Sequence, residues 1–252
     1  MKVEIMPVVT VLAMVAAACG TSPDASNTTN TTANEVTSTS ATPTTVAETT
    51  STQVSTTSTS LAGEAVDLGP PSGATLGVIG VAHDDVLNLR AAPGADQPII
   101  GQIPPTDDAV IARGETRSLP AFWTRVTHGG VDGWVNLSYL AYIGATSDTT
   151  AEVVAHFGER PEAARMTELG IIVAEAMASA DPPSEIVIVV EESVGDLGEV
   201  TLDVVGLGDD AVRGVRLHVF GSHLDDLFQL RTVEQTVLCD PTRGVDDDGV
   251  CV

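Results

Sequence analysis

Residues 20–68 hold almost nothing that a folded core needs. From Gly20 onward Thr and Ser dominate, and the scattered Val, Ala and Leu keep neither a helical nor a strand period. Such a segment cannot bury enough apolar surface to offset the entropy of ordering it, so a disordered stalk is expected over 20–68. A coil of about 40 residues has a mean reach of roughly 35 Å. Fully extended, the same length spans more than about 100 Å. The folded part of this 252-residue chain is therefore expected after the stalk.

Ahead of the stalk, Lys2 is followed by an apolar run from Ile5 to Ala18. The run falls short of the about 20 residues that a bilayer-spanning helix requires. A short apolar run ending in small residues reads as a secretory signal. Its last residues, Ala16-Ala17-Ala18-Cys19-Gly20, resemble the lipobox of bacterial lipoproteins, with Ala16 where that family prefers Leu. The resemblance implies that residues 1–19 are a lipoprotein signal and that Cys19 is acylated on its thiol (palmitate-type chains) and becomes the new amino terminus. The protein would then be held on the extracytoplasmic face of the cell membrane. The residues alone also allow plain cleavage after an A-x-A site, Ala16 to Ala18.

The formal charge is −24, from 35 acidic and 11 basic residues, and Lys2 is the single lysine. Binding a phosphate backbone needs clustered Arg or Lys, so nucleic acid is excluded as a partner. Direct docking on anionic headgroups is excluded for the same reason. Strong acidity fits solubility, salt tolerance or a cationic partner.

Residues 69–144 alternate short apolar runs with Gly, Pro and Asp turns. Strands are expected at 76–82, 86–90, 99–103, 109–113, 122–127 and 131–136, with Gly129-Gly130 as a tight hairpin turn. Leu87 and Leu89 alternate with Asn88 and Arg90, as a small barrel demands. Val86-Leu-Asn-Leu-Arg90 with Pro93-Gly94 resembles the opening of bacterial SH3-type (SH3b) domains. Trp123-Thr-Arg-Val126, Gly133-Trp134-Val135 and Tyr139-Leu140 resemble their closing strands. The resemblance implies an all-β SH3-like barrel and a place in the cell envelope. SH3b domains share a fold but differ in ligand, so peptidoglycan and an envelope protein both remain open as partners.

Residues 145–252 carry 22 acidic residues against 6 arginines, a net of −16. Apolar positions at three-and-four spacing predict one amphipathic helix over 159–180. Strands are expected at 186–191, 200–205, 212–220 and 227–238, broken by Gly-rich or acidic turns. The sum is an α+β domain, one helix on an antiparallel four-stranded meander.

Three cysteines limit the chemistry. If Cys19 carries lipid, Cys239 and Cys251 remain as an even pair in an oxidising compartment and read as a disulfide. The competing reading is a reactive thiol with a histidine base, as in a wall hydrolase. The five histidines form no zinc motif. Asp107-Asp108, Asp209-Asp210, Asp225-Asp226 and Asp246-Asp247-Asp248-Gly249 read as solvated turns; the last departs from the calcium-loop template, with two or three calcium ligands as the alternative there. No G-x-S-x-G, phosphate loop or dinucleotide fingerprint occurs, so neither a cofactor nor a catalytic or metal-ligating residue is assigned. Phe122, Tyr139 and Tyr142 are candidates for a shallow groove that takes sugar faces or peptide, with core or edge packing as the alternative. Trp123 and Trp134 are expected in the core.

Three functions follow. The first is a non-catalytic binding or scaffolding module, anchored by lipid and touching wall or a protein partner. The second is an acidic sensor or inhibitor ectodomain that binds a cationic partner through residues 145–252. The third is an accessory to cell-wall hydrolases.

Overall fold

The computed structural model describes residues 60–252. The expected signal segment, Cys19 and the expected stalk up to residue 59 lie outside the described residues, and residues 64–66, expected in the stalk, form a strand paired with residues 116–118. Strand β1 (Glu64–Val66) is followed by β2 (Thr75–Val78), β3 (Leu87–Arg90), β4 (Ile99–Ile103), β5 (Val110–Leu119), β6 (Ala121–His128) and β7 (Val131–Asn136). A short 3-10 turn, Leu137–Tyr139, leads into β8 (Leu140–Asp148). Then come α1 (Thr150–Phe157), β9 (Glu162–Ala163), α2 (Met166–Met177), β10 (Glu185–Val194), β11 (Gly198–Val205), β12 (Val212–Leu224) and β13 (Leu227–Cys239).

Strands β2 to β8 curl round one core as a small open barrel. Leu76, Val78, Leu87, Leu89, Ile103, Val126 and Leu140 fill it, with Trp123 and Trp134 also buried. The expected alternation holds: Leu87 and Leu89 point inward, Asn88 and Arg90 stay half-exposed. Gly129 and Gly130 both have positive φ, 56° and 81°, and join β6 to β7 where His128 pairs with Val131. A two-residue turn of that kind twists as the strands twist, and it costs a glycine pair nothing.

The meander β10-β11-β12-β13 is antiparallel throughout, and α2 covers one face of it. Met166, Leu169, Val173 and Ala174 pack on Val200, Leu202, Val204, Leu217 and Val219. Each such fully buried Leu, Val or Met side chain stabilises the fold by about 1.5–3 kcal/mol. Two features differ from the sequence expectation. The helix expected over 159–180 spans only Met166–Met177, and a further helix, α1, precedes it. Helix α1 ends at the left-handed Gly158, and Pro161 cannot donate to a helical ladder. Residues Glu162 and Ala163 consequently pair with Gln229 and Phe228, and α2 starts only at Met166.

The second difference is a fifth strand. The residues from Tyr142 to Asp148 of β8 pair with those from Glu234 to Cys239 of β13, while Leu140 and Ala141 pair with Val78 and Gly77 of the barrel. One strand thus serves both sheets. The boundary expected between residues 144 and 145 falls inside it. Ile79, Ala141 and Leu238, all fully buried, form a small core at the seam, with Val205 packed against them.

Candidate functional site

The seam between the barrel and the meander opens as a cleft. On the barrel side, the alternation of β3 turns Asn88 and Arg90 outward, and both line the cleft beside Trp123 and Asn136. Asn136 accepts a hydrogen bond from the Ser138 amide (3.0 Å) and thereby starts the 3-10 turn. That turn presents Tyr139, which is 41% exposed. The opposite wall is Glu185 and Val187 of β10, and the open cleft between them has a volume of about 440 Å³. A second cleft of about 440 Å³ shares Gly80, Tyr139 and Glu185 with the first and continues past Gly206, Asp209 and Arg213. The two form one groove along the seam.

Its charges are disposed unevenly. Arg213 holds the far end, pairing with Asp240 (3.2 Å) and donating to the Ser138 carbonyl (3.3 Å). The amides of Val212 and Ala211 donate to Asp209 and hold its carboxyl below the usual range, so it is ionised. Arg90 donates to the Gln97 carbonyl (2.7 Å). Glu185 has no ion-pair partner among the described residues. Aromatic faces, side-chain amides and an unpaired carboxylate suit an extended polar ligand more than an apolar one.

The three aromatic candidates are not brought together. Tyr139 lines the seam groove, while Phe122 (42% exposed) lines a separate cleft with Leu68, Leu137 and Pro241. Tyr142 lines neither. It pairs with Cys239 across the sheet and packs against the barrel core, where burial pushes its hydroxyl pKa up. Asn88 and Arg90 were legible as outward positions of β3. Glu185 carried no signal, because the sequence does not say which strand of the meander meets the barrel.

Cys239 and Cys251 are joined as a disulfide, with Cα atoms 5.2 Å apart. Asp246 stands within the loop between them, where its carboxylate accepts from the amides of Asp248 (3.0 Å) and Val250 (2.8 Å). His218 lies against Glu199 and His128 against Asp107, while His223 stacks on Phe228. Among the described residues, no group of three or more His, Cys, Asp or Glu is disposed to hold a metal ion, and no helix is long and apolar enough to cross a membrane.

No curated protein and no solved structure matches the chain. A family model does match part of it. The matched stretch runs from Asp85 to Ala141, takes in β3 to β7 and most of the barrel wall of the groove, and identifies residues 85–141 as a bacterial SH3 domain.

Proposed function

We propose that the protein is a lipid-anchored binding or scaffolding module of the cell envelope, without catalysis of its own. Bacterial SH3 domains are typically binding modules for cell wall or protein. The observation that carries the reading is the seam groove, which places Trp123, Tyr139, Asn88 and Asn136 of that domain around one accessible volume. In this reading Cys19 bears the acyl chains on the extracytoplasmic face of the membrane, and the Ser/Thr-rich segment sets the distance to the wall. Cys239 and Cys251 are bonded to each other, so neither supplies a thiolate nucleophile.

Incubation of residues 20–252 with purified sacculi tests the wall version. Retention well above that of a charge-matched acidic protein is the expected result. Retention no greater than the control removes it. Mass spectrometry of the native protein tests the anchor: the expected amino terminus is acylated Cys19, and an unmodified terminus created by cleavage after Ala18 removes it.

A second reading has an observation of its own. Four of the six arginines in residues 145–252 are paired with carboxylates: Arg165 with Glu192, Arg213 with Asp240, Arg216 with Asp203 and Arg243 with Asp210. Most of the remaining carboxylates there face solvent unneutralised. In that reading the acidic surface binds a cationic partner. Binding that falls steeply with salt yet ignores Tyr139→Ala would favour it.

A further inference from the structure

The groove along the seam is not made by the bacterial SH3 domain alone. The family match ends at residue 141, whereas Glu185, Val187, Asp209 and Arg213 come from strands and loops beyond it. Resting on the binding reading above, we propose that Glu185 sets the specificity of this composite groove, making it a site for an extended peptide that carries a free ammonium group.

Five observations converge on it. Glu185 is exposed and stands on the wall that the two halves of the groove share, together with Tyr139. The other carboxylates at the far end are already engaged. Asp240 is held by Arg213 and by the Thr242 amide (2.8 Å), and Asp209 by two amides. Glu185 has no such partner among the described residues; Asp85, on the barrel side, also lacks an ion pair but lines only one half of the groove, so Glu185 is the unpaired carboxylate that both halves present to a ligand cation. Tyr139, 41% exposed, offers an aromatic face to the same cation. Asn88 and Asn136 add amide groups for a peptide backbone, and the net charge of −24 raises the local concentration of cationic ligands.

The probes are purified sacculi, the same sacculi after acetylation of their free amines, and a blocked pentapeptide with a central lysine beside its acetyl-lysine analogue. The protein is residues 20–252, wild type and Glu185→Gln, and the readouts are retention and tryptophan fluorescence. The expected result is that acetylation and Glu185→Gln each weaken binding about tenfold, and that the substitution does nothing further to acetylated material. Binding of the lysine pentapeptide without binding to sacculi also supports the inference and points to a protein as the peptide's source. Equal binding of native and acetylated probes, unaltered by Glu185→Gln, overturns the inference and leaves the binding reading standing. No response to any probe overturns both.

Discussion

Asp203 lies directly opposite Arg216 across β11 and β12, and its fully buried carboxylate takes two hydrogen bonds from the guanidinium, at 2.7 and 2.9 Å. The same pair reaches out of its own sheet. Arg216 donates to the Val78 carbonyl (2.8 Å), and Asp203 accepts from the Gly80 amide (2.9 Å). Val78 and Gly80 belong to the barrel end of β2 and the turn after it. The ion pair therefore fastens the barrel to the meander, at the edge of the groove that Gly80 lines.

Removing one member of this pair leaves the other charged and desolvated. Arg216→Met is expected to cost about 3–5 kcal/mol, the range for breaking a buried ion pair. Asp203→Asn in the Arg216→Met background should recover part of that loss, because the uncompensated charge is gone. Urea denaturation of the three variants measures both values. A cost below about 1 kcal/mol for Arg216→Met would mean that the pair is not what holds the seam.

The shared strand β8 predicts how the folded residues melt. Both tryptophans, Trp123 and Trp134, sit in the barrel, whereas both helices pack with the meander. Fluorescence therefore follows one part, and the helical signal in circular dichroism follows the other. With β8 paired to β2 on one side and β13 on the other, the two signals should be lost in one transition at the same urea concentration. Separate midpoints would show that the seam does not couple them.

The same strand explains what the sequence could and could not reveal. Leu87-Asn-Leu-Arg90, Gly129-Gly130 and the four runs of the meander were legible because each obeys a local rule, of alternation or of turn chemistry. The segment Leu140–Asp148 shows only its start: Tyr139-Leu140 read as the close of the barrel, and nothing local says that the residues from Tyr142 onward run on as a strand of the meander. Asp203 misleads in a related way. Flanked by Leu202 and Val204 on an alternating strand, it occupies the outward position, where solvent is expected. The barrel covers that face, and only tertiary structure says so. Helix α1 was missed because eight residues with a single fully buried side chain, Val153, give too short a period to detect. The groove shares the difficulty: Asn88 and Arg90 were visible as outward residues, but Glu185 becomes a neighbour only once β10 is placed.

Acid should loosen the start of α2. Its N-cap residue, Arg165, makes no side-chain cap, and Glu192 of β10 does that work from outside, accepting from the Thr167 amide (2.7 Å) and hydroxyl (2.9 Å). The hydrogen bond from Arg165, then those from Thr167, hold the Glu192 carboxyl below its ordinary range. A carboxyl with a lowered folded pKa contributes stability above its unfolded pKa and loses it as pH falls through the folded value. Glu192→Gln is expected to cost about 1 kcal/mol at pH 7, and less as the pH drops below 4. A cost that stayed constant from pH 7 to pH 3 would assign the effect to shape rather than charge.

The seat of α2 on the sheet depends on two glycines that face each other. Gly198 and Gly221 are direct cross-strand partners on β11 and β12, and the Met166 side chain lies over both. A Cβ added at Gly198 would come within 2.3 Å of Met166 Cγ, and one at Gly221 within 2.5 Å of Met166 Sδ. Methionine is flexible, but Met166 is fully buried beneath the helix, and a Cβ at Gly221 would also stand 3.3 Å from Leu169. Gly221→Ala should therefore cost about 1–3 kcal/mol by overpacking. Met166→Ala empties the same space and should cost about 2–5 kcal/mol by leaving a cavity. Because the new methyl and the missing side chain compete for one volume, the double variant should be more stable than the sum of the two costs predicts, by at least about 0.5 kcal/mol. Thermal or urea unfolding of the four proteins measures that difference, and strict additivity would show that α2 does not rest on the glycine pair.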